Sequence, residues 1–128
     1  MKKVLSLILA AVLLTALAVP AFAAQPRWAN VSSISPSLRL ASDTYSSTVT
    51  GQSGTTKIVG QLILFERDPY GDYTEVARTG RTTVNSSSAT FSGSYDLQSG
   101  TSYRLLTMAD VTCGGVTESV SYNHDQSL

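Results

Sequence analysis

Past its opening stretch, the chain alternates apolar and polar residues at period two, and turn residues break the alternation about every eight to twelve positions. No segment there keeps apolar residues at helical spacing over three turns. The chain must therefore bury one parity of many short strands, which a sandwich or barrel does. Seven strands follow. Ile34, Pro36, Leu38 and Leu40 share a face of the first, and Pro36 makes it an edge because proline cannot donate to a ladder. Tyr45, Ser47, Val49 and Gly51 share a face of the second. The third is apolar on both sides, with Ile58, Gly60, Leu62 and Leu64 on one and Val59, Gln61, Ile63 and Phe65 on the other. That predicts a central strand with a covered second face. Asp68-Pro69-Tyr70-Gly71 predicts a type I turn continued into a glycine bulge, leading into a fourth strand over residues 73–79. Ala89, Phe91, Gly93, Tyr95 and Leu97 mark the fifth strand, and Tyr103, Leu105, Thr107, Ala109 and Val111 the sixth. After a Gly114-Gly115 turn, Val116, Glu118, Val120 and Tyr122 mark the seventh, and residues 123–128 read as a frayed C-terminal tail.

Residues 1–23 predict an address. Lys2 and Lys3 precede a nearly unbroken apolar run from Val4 to Val19, and Pro20-Ala21-Phe22-Ala23 offers small residues for cleavage after Ala23. The run is shorter than the roughly 20 apolar residues of a bilayer span, and no basic stop-transfer cluster follows it. A signal peptide over 1–23, a β-sandwich domain over 24–122, a tail over 123–128 and a secreted product are the expectation. With Lys2 and Lys3 gone, the nine acidic residues outnumber the remaining basic ones, which are scattered singly. Such a surface gives nothing for nucleic acid or an anionic membrane to grip. Cys113 is the only cysteine, so no intrachain disulfide is available, and the thiol reads as an unpaired, buried small hydrophobe or one half of a bridge between copies.

The stretch Leu97-Gln98-Ser99-Gly100-Thr101-Ser102-Tyr103-Arg104-Leu105 sets a Leu, a Gly-Thr pair and a Tyr ahead of an alternating strand. It resembles the tyrosine corner of fibronectin type III and immunoglobulin-like modules. The resemblance implies a seven-stranded antiparallel immunoglobulin-like sandwich, with Leu97 plugging the core and the Tyr103 hydroxyl bonding back to the crossover backbone. One departure is plain: the core Trp of the fibronectin type III second strand has no counterpart near Tyr45 to Thr50, and the only Trp, Trp28, precedes the first strand. A leader followed by one Ser/Thr-rich sandwich also resembles short exported single-domain proteins of Gram-positive bacteria. That layout implies a fold and an address, and no activity.

Catalysis has little material. The single His, His124, stands beside Asp125 in the expected tail, where no dyad can be held in place. Glu66, Asp68, Asp72 and Glu75 flank one hairpin and supply the carboxylates for a small secreted hydrolase or a Ca²⁺ site, but no calcium-loop spacing accompanies them. One Cys and one His give zinc no ligand set. The expectation is no enzyme, no metal and no cofactor. Binding fares better. Trp28, Phe65, Tyr70, Tyr73 and Tyr122 are aromatics that strand parity does not all assign to the core, and surface aromatics stack on sugar rings. Val59, Ile63 and Phe65, joined by Val76, predict an exposed apolar stripe of the kind proteins dock on. Tyr70, Tyr73, Phe65 and Ile63 are accordingly the candidate ligand-binding residues, with a protein or a glycan surface as partner. Asn30-Val31-Ser32 and Asn85-Ser86-Ser87 match the glycosylation pattern, and a bacterial-type leader predicts that neither is used.

Overall fold

A computed structural model describes residues 28–128, so the expected leader, its expected cleavage point and the expected start of the domain at residue 24 lie outside the described residues. The described residues are all-β. They form eight strands: β1 (Val31–Arg39), β2 (Thr44–Gly51), β3 (Thr55–Arg67), β4 (Tyr73–Arg78), β5 (Thr82–Val84), β6 (Ser88–Ser94), β7 (Ser102–Cys113) and β8 (Val116–Ser127). One antiparallel sheet runs β1-β2-β6 and the other β4-β3-β7-β8, with β5 beside β4 along the edge of β3.

The strand count differs from the expected seven because the fourth edge position is shared. β4 pairs with the C-terminal half of β3 through Ile63↔Arg78 and Glu66↔Thr74. After Gly80, β5 takes over the N-terminal half through Ile58↔Val84. Three residues, Thr82-Thr83-Val84, are too few for alternation to show.

Parity places the core where the pattern puts it. Leu38, Tyr45, Val49, Ile58, Leu62, Leu64, Ala89, Phe91, Tyr103, Leu105, Ala109 and Val111 are all buried between the sheets. Leu40 departs from its parity. It opens a single 3-10 turn, Leu40–Ser42, that carries it off the sheet and leaves it 39% exposed. Phe91 packs against Gly60, where a Cβ would run into the ring, and Tyr45 lies in the same way over Gly93, its cross-strand neighbour. At the centre, Thr107 Oγ1 donates to Ser47 Oγ over 2.9 Å, joining β7 to β2 across the interior. Both hydroxyls are buried, so each needs the other.

Residues 123–128 are not a tail. β8 pairs with β7 over its whole length, from Cys113↔Val116 to Ser102↔Ser127, and the Leu128 main chain exchanges hydrogen bonds with Gly100 and Thr101. The run Asn123-His124-Asp125-Gln126-Ser127 is polar on both faces, so its strand period carries no hydrophobic signal. The corner behaves as its residues suggest. Tyr103 is fully buried, the Gln98 N–H donates to its hydroxyl at 2.8 Å, and Leu97 is buried beside it. Tyr95 completes the corner edge-on to Tyr103, with ring centroids 6.4 Å apart.

The opening of β1 is fastened to β8. The Ala29 and Asn30 N–H groups each donate to the Glu118 carboxylate at 2.9 Å. The Asn30 amide donates to Val111 O and Val116 O at 2.8 and 2.9 Å. Trp28 packs edge-on against Tyr122 and covers the flank of the sandwich. The Asn30 side chain is thus buried and consumed by two carbonyls, which leaves its nitrogen no room for a glycan in the folded chain.

Candidate functional site

The outer face of the five-stranded sheet carries the side chains that the core does not. Register sets Phe65 beside Arg104, Ile63 beside Leu106, Gln61 beside Met108 and Val59 beside Asp110. On β8, Asp125 stands opposite Arg104 and Asn123 opposite Leu106. An apolar stripe along β3 and β7 therefore exists, but it is not the exposed one expected. Ile63 is only 8% exposed, and Val59, Phe65, Leu106 and Met108 are half-buried. Val76 is not part of it. The register shift between Leu64 and Phe65 turns Val76 inward, and it packs on the core instead.

At one end of this face the stripe opens into a shallow depression of about 270 Å³ lined by Phe65, Tyr73, Arg104, Leu106 and Asn123. Four strands, β3, β4, β7 and β8, place these groups. The Asp68 turn has the expected form: Gly71 N bonds Asp68 O at 3.0 Å, Gly71 takes a φ of +93°, and Asp68 N bonds Asp72 O. The Asp68 carboxylate also accepts the N–H groups of Tyr70 and Asp72, so the turn is rigid and delivers Tyr73 to the rim.

Arg104 is the organising side chain. Its guanidinium lies 4.1 Å from the Tyr73 ring centroid and makes two parallel bonds to Asp125, at 2.7 and 3.0 Å. The guanidinium hydrogen bond holds the Asp125 carboxyl below its ordinary value. At the other end of the face Asp110 accepts from Ser119 at 2.6 Å and pairs with Arg81. The Ser119 bond, then the Arg81 pair, hold Asp110 low against the opposing effect of burial. Glu75 pairs with Arg78 on the edge strand.

Of the four candidate residues, Phe65 and Tyr73 come together in the depression. Ile63 lies on the same face but is covered, and Tyr70 stands apart at the hairpin tip, 92% exposed. Trp28 and Tyr122, the other aromatics considered, pair with each other on the flank. Arg104, Leu106 and Asn123 were not singled out from the sequence. The outward parity of β7, Arg104-Leu106-Met108-Asp110, carried the signal for two of them.

The hairpin acids occupy other positions. Glu66 and Asp68 line a second open depression of about 440 Å³ with Arg67, Pro69 and Gly100 to Ser102. There Asp68 holds the turn, and Glu66 accepts a long bond of 3.4 Å from the Tyr103 hydroxyl. His124 sits within β8, opposite Leu105, and bonds Gln126 at 3.1 Å. Asp125, its neighbour in a strand, projects to the other face, so the two cannot act on one substrate atom. Among the described residues no group of three or more His, Cys, Asp or Glu side chains is gathered as a metal site would need. Cys113 is half-buried and directs its thiol to Ser53 O at 3.5 Å.

No protein-family model matches the chain, and no characterised protein compared with it is similar in sequence. Among solved structures, a hypothetical protein from Pyrococcus horikoshii OT3 is similar with a TM-score of 0.44 at 11% identity, over 79% of this chain and 93% of that one. A beta-glucuronidase of Bacteroides uniformis is similar with a TM-score of 0.39 at 12% identity, over 73% of this chain and 12% of the enzyme. Likeness at this level carries no argument about what the chain does.

Proposed function

We propose that the chain is a secreted, non-enzymatic β-sandwich of the fibronectin type III kind that binds a ligand in the Phe65–Tyr73–Arg104–Leu106–Asn123 depression. The leader-like residues 1–23 support the address. The strand order β1-β2-β6 against β4-β3-β7-β8, with the Tyr103 corner in place, supports the fold type.

The observation that carries the binding reading is the composition of the depression. Two aromatic rings and a leucine sit beside an amide and a guanidinium, the latter already oriented by Asp125. A pyranose offers the complementary surface, an apolar C–H face rimmed by hydroxyls. A glycan therefore fits this site better than a protein does. A protein interface needs a contiguous exposed apolar patch, and here the centre of the stripe, Ile63, is covered. The absence of turnover is supported by the carboxylates' present duties: Asp68 holds a turn, and Glu75 and Asp125 are each paired with an arginine.

A glycan array probed with the purified protein tests this directly. Binding is expected, and Tyr73→Ala or Phe65→Ala should weaken it by about two- to tenfold, since an aromatic stacking contact is worth on the order of 0.5–1.5 kcal/mol. Tyr70→Ala should leave it unchanged. A blank array, or loss of binding with Tyr70→Ala alone, refutes this site.

A further inference from the structure

The sandwich has four sheet edges, and three are guarded. β1 carries Pro36 and a register shift between Val31 and Ser33. The β4/β5 edge is split into two short strands with a bulge between Leu64 and Phe65. β6 offers only seven residues, against twelve in β8. Breaks, prolines and shortness are the devices that stop a sheet edge from pairing with another chain. β8 has none of them. It runs 12 residues without a register shift and contains no Pro, Lys or Arg.

The Gly114-Gly115 turn fixes which of its main-chain groups are free. A two-residue hairpin makes Cys113 and Val116 a hydrogen-bonded pair, so even-numbered residues of β8 direct their N–H and C=O to β7. Odd-numbered residues direct theirs away. For Ser119, Ser121, Asn123 and Asp125, no hydrogen bond among the described residues uses those groups.

We propose that β8 pairs antiparallel with β8 of a second copy, about a two-fold axis at Tyr122. Edge pairing of this kind is self-complementary, because each strand offers the other the same alternating donors and acceptors. The axis sets Ser121 against the second copy's Asn123 and Ser119 against its Asp125, so no like charges meet. The two acids of β8 are also already satisfied within each copy, Glu118 by the Ala29 and Asn30 N–H groups and Asp125 by Arg104. A second copy is favoured over an unrelated strand because these matches come from the chain's own residues. The pairing joins the two five-stranded sheets into one. It also brings the second copy's Ser121 beside Asn123 at the rim of the depression, lengthening that site across the seam. It does not depend on the ligand proposed above.

Sedimentation equilibrium of the full chain, produced with its own leader and purified as the host processes it, tests the pairing. A concentration-dependent monomer–dimer equilibrium is expected, with amide exchange at Ser119, Ser121 and Asn123 slowing as dimer forms. Ser121→Pro removes an N–H that the β7 ladder does not use and should give monomer. The double change Ser121→Lys with Asn123→Lys sets like charges in register and should weaken dimerisation by about tenfold or more, while the melting temperature of the monomer holds. It keeps the test open should the proline variant fail to fold. A single species of monomer mass at every concentration, or a dimer untouched by the lysine pair, overturns the proposal.

Discussion

Among the described residues, the Thr107–Ser47 bond is the one hydrogen bond between fully buried side chains, and its value is best read as a cycle. Thr107→Val keeps the shape but removes the donor, which strands the Ser47 hydroxyl where no water reaches it. We expect a loss of about 1–3 kcal/mol in urea unfolding, and a smaller loss for Ser47→Ala with Thr107→Val than the single changes sum to. Three tyrosines add a pH dependence. Burial raises Tyr45, Tyr95 and Tyr103 above the ordinary value of 10.0, since each ring sits where a phenolate would be poorly solvated. Groups raised on folding contribute stability in full below their unfolded value and lose it as pH climbs through the folded one. The urea midpoint should therefore hold up to about pH 10 and then fall, and Tyr103→Phe should make that fall shallower.

At the scale of elements, close approach of β3 to β6 depends on Gly60. Gly60→Ala should cost about 1–3 kcal/mol by forcing the Phe91 ring aside, and Phe91→Leu in the same chain should return part of it; thermal unfolding of the three variants decides. Inward parity was legible in the sequence for nearly every strand, because two packed sheets leave one face wet and alternation records that. The Asp68 turn and the Tyr103 corner were legible for a different reason: both are local, set by residues a few positions apart. What was not legible is pairing at long range. Nothing in Thr82-Thr83-Val84 says that it borders β3, and nothing in Asn123 to Ser127 says that β7 waits to pair with it. The candidate site was half legible. Phe65 and Tyr73 stood out as aromatics, whereas Arg104 and Asn123 gain meaning only once β7 and β8 lie side by side.

For the molecule as a whole, the link from Ala29 and Asn30 to Glu118 spans 89 and 88 positions. The start of the described domain is thus fastened by a carboxylate on its last strand. Without β8, β1 lacks this tether and β7 lacks a neighbour along one edge. Closing the described domain is thus one event in which its first residues and its last strand lock each other.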